Sequence, residues 1–377
     1  MIKVHRVNSK SDLKKYVSFP NDLYKNNPYY VPDLIRDSMN MLTPAYNPAY
    51  EFCEADFFLA YEDNRIVGRI GVIVNHKSNE KWGQHLARFT GFDFIDRSDV
   101  SECLMQTAKK WAIDRGLTGI HGPLGFTDID HQGMLVEGFD TLDLFITIYN
   151  APYYMDHMIA LGFEKDIDWI ECQLRLDADK AKRLNKIAEY LNKNSTFKLL
   201  EFKRKKEMMV WADDVFDLYN IAYAPLYGTT TLTDKQISMY IKTFLGFVNP
   251  DFVKIVVDAD NKIAAFSLAM PSLSKAMQKS KGRLFPFGFL HILKAIHYND
   301  VLDLYLIAVK PEYQNSGING LMLNSVMQTA KKYGMSYAET GPMLESNLKV
   351  QGQWKFFEVK QHRRRRIWTS IIQEGDR

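Results

Sequence analysis

Apolar residues recur at helical spacing twice along the chain within almost the same seven residues. Met105-Gln106-Thr107-Ala108-Lys109-Lys110-Trp111 returns 222 residues later as Met327-Gln328-Thr329-Ala330-Lys331-Lys332-Tyr333. Leu104, Ala108 and Trp111 fall at i, i+4 and i+7, as do Val326, Ala330 and Tyr333, so each copy predicts a helix with one buried face. Each is followed by a short strand and then Gly-Pro, at Gly122-Pro123 and Gly341-Pro342. Upstream, 57–61, a turn at 62–65 and 66–74 read as a strand hairpin, matched in the second half by 253–257, a turn at 258–262 and 263–270. One more strand, 92–95 or 302–309, leads into each helix. Both halves thus follow the order hairpin, strand, helix, strand, closing helix and strand, and the chain reads as an internal duplication. Ala178, Leu184, Ile187, Ala188 and Leu191 share one side of 177–194 and predict a bridging helix there. The expected organisation is a first module over 1–176, a bridge over 177–196 and a second module over 197–377.

Length agrees, because 377 residues suit two domains of about 150 residues better than one core. With 46% apolar and 25% charged residues and a net charge of +3, the chain matches a soluble globular protein, and its charge is too small to call for nucleic acid. Cys53, Cys103 and Cys172 are odd in number and lack CxxC spacing, which argues against a disulfide framework and a zinc site. No apolar run approaches the roughly 20 residues that span a bilayer. The start, 1–7, alternates charged and apolar residues and reads as a strand rather than a secretory signal, so a cytoplasmic location is expected.

Chemistry concentrates in the second half. The strand 304–309 runs into Lys310-Pro311-Glu312-Tyr313-Gln314-Asn315-Ser316-Gly317-Ile318-Asn319-Gly320 and then into the repeated helix. A strand feeding a glycine-containing loop at a helix N-terminus aims free backbone N–H groups and the positive end of the helix dipole at one point, which suits an anion. Gly317 and Gly320 would let a phosphate approach the main chain with no Cβ in the way.

The string Val309-x-Pro311-Glu312-Tyr313-Gln314-x-x-Gly317-Ile318 resembles the acetyl-CoA signature of the GNAT superfamily of N-acetyltransferases, departing from it at Asn319, where Gly or Ala is usual. The resemblance implies two tandem α/β modules of the α+β type, each a central mixed, mainly antiparallel sheet flanked by helices and opened where the coenzyme strand and the next strand part. The halves are expected to pack as a pseudo-dimer. It also implies acetyl-CoA or a longer acyl-CoA as co-substrate and direct transfer of the acyl group to an amine, either a small molecule or a lipid-like one. The implied coenzyme contacts are Ile307, Ala308, Val309, Gln314, Asn315, Ser316, Gly317, Ile318, Asn319 and Gly320, with a backbone N–H near Val309 polarising the thioester carbonyl. The segment 339–347 resembles the next superfamily segment, in which an Asn, here Asn347, lies near the pantetheine arm. A Tyr seven residues on often protonates the departing thiolate there; this chain has Trp354, whose indole N–H is a donor but no general acid near neutral pH. A base must take the proton of the amine: Glu339 is the first choice, although a structural ion pair suits it equally, with Glu345, Tyr305 and Asp303 after it. A non-catalytic acyl-CoA-binding protein is the alternative reading.

The first half lacks such a loop, since its strand ends at Asp96-Arg97-Ser98-Asp99. Its stretches 122–140, 149–154 and 161–163 are similar to an uncharacterised family of two-module bacterial acetyltransferase-like proteins. Asp128, Asp130, His131 and Glu137 are the densest potential metal ligands and would serve a metal-dependent hydrolase, but their spacing fits no ligand signature and no metal site is expected. Arg363 to Arg366 reads either as a solvated or edge-protecting strand face or as a contact for phosphates. In 284–296, Phe289, Ile292, Leu293 and Ile296 share a helical face, with Phe285 and Phe287 beside them. That segment is either core, a lip for a long acyl chain or lipid-like amine, or a contact with the membrane surface.

Overall fold

A computed structural model describes residues 1–176 and 178–373 of the chain; Asp177, the first residue of the expected bridge, lies outside the described residues. The chain forms two compact units.

In the first unit, strand β1 (Lys3–Arg6) is followed by helix α1 (Lys10–Leu23), whose Ser9 cap accepts the Asp12 N–H, and by α2 (Ile35–Met41). The expected hairpin is β2 (Cys53–Glu62) and β3 (Arg65–Asn75); Asp63 and Asn64 both take positive φ, the geometry a two-residue hairpin turn needs. After α3 (His76–Trp82) come β4 (Leu86–Phe94), the repeated helix α4 (Ser98–Ile113), β5 (Gly119–Gly122), β6 (Met134–Glu137), α5 (Tyr154–Ala160) and β7 (Glu164–Leu176). Leu104, Ala108 and Trp111 of α4 are buried as their spacing predicts, and the Trp111 indole N–H donates to Asp56 (2.8 Å). Each fully buried large apolar side chain in such a cluster contributes about 1.5–3 kcal/mol.

The second unit begins at Ile170, within β7, and continues into α6 (Ala178–Asn194), which buries Leu184, Ala188 and Leu191. It continues through β8 (Lys198–Leu200), α7 (Lys205–Met209), α8 (Ala212–Tyr223), α9 (Asp234–Phe244), and the hairpin β9 (Val253–Val257) and β10 (Ile263–Pro271). Helix α10 (Ser274–Ser280) belongs to the first unit; α11 (Gly288–His297), β11 (Val301–Val309), α12 (Ile318–Lys332), β12 (Tyr337–Thr340), β13 (Met343–Leu344), α13 (Leu348–Gly352) and β14 (Phe357–Ile371) follow.

The sheet of the first unit runs β1-β2-β3-β4-β5-β14 and that of the second β8-β9-β10-β11-β12-β7. In each, one neighbouring pair is parallel, β4 with β5 or β11 with β12, and the other neighbouring pairs are antiparallel. This is the mixed, mainly antiparallel sheet flanked by helices that the sequence implies. The closing strands are exchanged. The first unit takes its last strand from the chain beyond Arg363, and the second takes its own from Ile170 onward. Trp368 pairs with Gly122 and enters the apolar core of the first unit, while Ala338 pairs with Leu174 in the second. The units therefore differ from a division at 177–196 in three places: 170–176, 274–289 and the segment beyond 363.

The run Arg363–Arg366 has neither sequence reading's environment. Arg363 and Arg365 are buried on one side of β14, donating to the carbonyls of Leu142 and Ile148, with Arg365 also on the Asp143 carboxylate. Arg364 and Arg366 turn the other way and bind buried Asp168 at 3.1 and 2.8 Å. Alternation along a strand sends the four guanidinium groups to internal partners on two sides, Leu142, Ile148 and Asp143 on one and Asp168 on the other, rather than to a single wet face.

Candidate active site

The turn between β11 and α12 is built by three local devices. Pro311 starts a short 3-10 turn, Asn315 and Gly317 take positive φ (65° and 90°), and the Tyr313 hydroxyl ties the loop to Asp258 at 3.0 Å. The backbone N–H groups of Asn315, Gly317, Ile318 and Asn319 have no backbone acceptor among the described residues, and α12 has no side-chain cap. Gln314 and Ser316 are different, since their N–H groups donate to Pro311 and Tyr313. The Gly320 N–H is also engaged, by the Gly317 carbonyl at 2.8 Å.

Gly320 corrects the sequence reading. A Cβ there would meet Ile187 Cγ2 of α6 at 2.9 Å, and one at Gly317 would meet Leu191 at 3.3 Å. The bare face of Gly320 thus lets α6 lie against α12, whereas Gly317 is needed for its left-handed φ.

Between β11 and β12 the pairing stops. The register runs from Val301↔Tyr337 to Leu304↔Thr340, and the Gly341 N–H to Leu304 carbonyl bond (2.8 Å) is the last link. On the other side β11 stays paired with β10 through a bulge at Tyr305, the residue skipped between Leu268↔Leu306 and Ala269↔Leu304. Lys310 donates to Ala264 of that hairpin, so by alternation Leu306 and Ala308 also point their polar groups to β10. Only Ile307 and Val309 turn theirs into the opening, which removes the Ala308 main chain from the expected contacts. At Ile307 the edge is met by a side chain: the Tyr223 hydroxyl of α8 donates to the Ile307 carbonyl (3.3 Å) and accepts its N–H (3.4 Å). Tyr223 stacks on Tyr219 with ring centroids 4.4 Å apart. Nothing in its sequence surroundings singles Tyr223 out.

The acidic candidates gather at the paired end of the two strands. Asp303 and Glu339 are direct cross-strand neighbours, and both are buried. Tyr305 donates to Asp303 at 3.2 Å; burial, then the charge of Asp303, holds its phenol well above the ordinary value and so protonated. Glu339 faces His362 at 3.3 Å, the structural pairing that the sequence left open. Glu345 is half-buried beyond β13, where its main-chain carbonyl takes the Gln351 amide at 2.9 Å. Asp303 and Glu339 lie about 13 Å from Ile307 along the strand at the usual rise of roughly 3.3 Å per residue.

Asn347 caps α13 by accepting the Val350 N–H (3.3 Å). Trp354 is a core residue, packed with Leu184, Leu323 and Phe357, and its indole N–H is engaged by Met343 sulfur at 3.0 Å. That takes its ring out of the opening. The thiols of Cys53 and Cys172 are pushed up by burial, to about 12 and about 11, so neither is a ready nucleophile.

The first unit differs at the same place. Beyond Arg88 and His121, where the register of β4 with β5 ends, the Leu124 N–H donates to the Phe89 carbonyl at 2.9 Å, and Phe89, Phe92, Tyr154 and Phe163 are buried in that unit's apolar core. The start of α4 carries Asp99, bound by Arg97 at 2.6 Å, in place of a glycine loop. Asp130 accepts the Thr127 N–H, Glu137 pairs with Arg364 and His131 with Asp33. Among the described residues no group of three or more His, Cys, Asp and Glu is placed to hold a metal ion. The 750 Å³ cleft beside β1 is lined by Arg6 and Lys15, which already pair with Asp56 and Asp12, and lies in the first unit, apart from these groups. No described helix is long and apolar enough to cross a membrane.

A structure of a tandem GNAT protein from the clavulanic acid biosynthesis pathway aligns over 98% of both chains with a TM-score of 0.56 at 14% identity. The chain has the tandem GNAT fold. No family model matches it. Protein YghO of Escherichia coli (strain K12) is 25% identical over 374 residues, covering 97% of this chain and 94% of that protein. A bacterial ceramide synthase of Caulobacter vibrioides (strain NA1000 / CB15N) is 23% identical over 353 residues, 90% of each chain. Within the GNAT fold, the opening beyond Leu304 and the start of α12 belong to the same unit and are joined by one strand and one turn.

Proposed function

We propose that the second unit is an acyl-CoA-dependent N-acyltransferase that moves an acyl group directly to an amine. The observation that carries this is the polar edge of Ile307 turned into the gap between β11 and β12, on the strand that leads to four N–H groups without a backbone acceptor among the described residues, around the start of α12. These groups suit the two ends of one elongated ligand, an amide-bearing arm along β11 and a pyrophosphate at the helix N-terminus. Acyl-CoA would supply a thioester carbonyl activated for attack. The similarity to a protein named as a ceramide synthase favours a fatty acyl group over acetyl, and a long-chain amino alcohol as acceptor, since a ceramide is the N-acyl product of one.

In this reading the Ile307 N–H polarises the acyl carbonyl, with Val309 pairing further along the arm. Tyr223 would have to turn aside by about one hydrogen-bond length, ~3 Å, leaving its O–H beside the thioester. As the amine forms its C–N bond and the C–S bond breaks, the electron pair leaves on sulfur and Tyr223 gives it a proton. Solvent then reprotonates the phenolate. Tyr223 thereby takes the part that Trp354 cannot. The proton lost by the amine passes through water to the Asp303 and Glu339 carboxylates, which lie too far along the strand to take it directly. A thiol nucleophile is not needed, in keeping with the raised Cys172 thiol.

The test is calorimetric titration with acetyl-CoA and palmitoyl-CoA, repeated on Gly317→Glu, together with release of free thiol in the presence of a long-chain amino alcohol. Binding lost in the variant and thiol released by the natural protein are the expected results. Binding without thiol release against a panel of amines would identify a non-catalytic acyl-CoA-binding protein, and no binding of either thioester would overturn both readings.

A further inference from the structure

Between Asn261 and Asn299 the chain has no aspartate or glutamate, while it carries Lys262, Lys275, Lys279, Lys281, Arg283 and Lys294. The part belonging to the first unit is firmly seated. Ala276 and Met277 of α10 are buried, the Gln278 amide donates to the carbonyls of Pro28 (2.8 Å) and Tyr30 (2.9 Å), and Ile35 donates to the Gly282 carbonyl at 3.0 Å. Gly282 takes a positive φ of 72° where a Cβ would meet the Asp33 carbonyl at 2.6 Å, so the turn is fixed by close backbone contact.

From that seat the side chains of Lys279, Lys281 and Arg283 are exposed, with no ion-pair partner among the described residues. Just beyond them Phe285 and Phe287 are each 68% exposed. Exposed phenyl groups next to exposed cations without an ion-pair partner among the described residues match the two attractions of an anionic bilayer surface: insertion of apolar groups at the acyl boundary and attraction to acidic headgroups. An apolar protein groove would satisfy the rings and leave the cations without partners. An acidic peptide would do the reverse.

We infer that the segment from Lys279 to Phe287 docks the protein on an anionic membrane surface, its rings entering the headgroup layer and its cations resting on lipid phosphates. This is independent of acyl transfer and is read without turnover.

The test is co-sedimentation of the full chain with vesicles of phosphatidylcholine alone and of phosphatidylcholine with phosphatidylglycerol. The protein should partition onto the second and stay largely in solution with the first. Lys281→Gln with Arg283→Gln should lower the partition coefficient about thirtyfold, at the usual contribution of each cation near such a surface, and Phe285→Ser with Phe287→Ser should also release the protein. All four side chains are exposed, so thermal unfolding of both variants should match the natural protein. A protein that stays in solution with phosphatidylglycerol vesicles overturns the inference, and so does unchanged partition of the Phe285→Ser, Phe287→Ser variant.

Discussion

The phenolic oxygen of Tyr223 lies 3.3 Å from the carbonyl oxygen and 3.4 Å from the amide nitrogen of Ile307, closing with one hydroxyl the main-chain edge that β12 leaves open. Tyr223→Phe should keep the ring and its stacking on Tyr219 while removing the proton. The expected outcome is unchanged or tighter acyl-CoA binding by calorimetry with kcat lowered about 10²–10⁴-fold, the usual worth of a positioned general acid. The deficit should shrink with a thioester of a more acidic thiol, whose departure needs no proton. Equal turnover in the variant would remove Tyr223 from the reaction without touching the coenzyme site, which Gly317→Glu tests separately.

The contact between Gly320 and Ile187 predicts a coupled pair. Gly320→Ala should cost about 1–3 kcal/mol through overpacking, because its Cβ would lie 2.9 Å from Ile187 Cγ2. In a double-mutant cycle read by urea unfolding, Ile187→Ala should relieve that cost, giving a favourable coupling energy.

Asp143 and Arg365 are both buried, and the carboxylate accepts from the guanidinium. Asp143→Ala would leave a buried cation without its counterion, so stability should fall by about 3–5 kcal/mol, measured as a lower urea midpoint at unchanged slope.

Asp168 gives the chain a signed pH response. Burial alone would raise its carboxyl, but hydrogen bonds from Arg366, Lys165 and Arg364 outweigh burial and hold it below its ordinary value. A group depressed on folding contributes stability above its unfolded value, near 4, and loses it as pH falls through the folded one. Stability should therefore decline below about pH 4, and Asp168→Asn should be less stable at neutral pH with a flatter acid limb, followed by thermal unfolding at several pH values.

Cys172 should be dispensable for chemistry. With its thiol pushed up to about 11 by burial, Cys172→Ser is expected to leave kcat for thiol release unchanged, whereas a covalent acyl-enzyme on this residue would abolish it.

Several features are legible in the sequence. The hairpins, the repeated helices α4 and α12 and the helix α6 follow from period-2 and period-3.6 patterns, and those patterns survive folding because each buries one face. The Gly317 turn was legible because strand, proline, glycine and helix are contiguous in sequence. Phe289, Ile292, Leu293 and Ile296 show the limit of such reading. They share a helical face by spacing, yet Ile292 and Ile296 are buried while Leu293 is half exposed, since a narrow contact needs only every fourth residue.

The sequence by itself determined the duplication and the glycine turn before α12, which follow from short-range spacing, and the fold class, which follows from the resemblance carried by 309–318. Tertiary structure decided that β14 closes the sheet of the first unit and β7 that of the second, because Trp368 pairs with Gly122 and Leu174 with Ala338 across long sequence separations. It decided that Gly320 serves α6, that Trp354 is core, and that Tyr223, 84 residues from Ile307, meets its main chain. Contacts across such separations depend on where whole elements pack, and no local period encodes that.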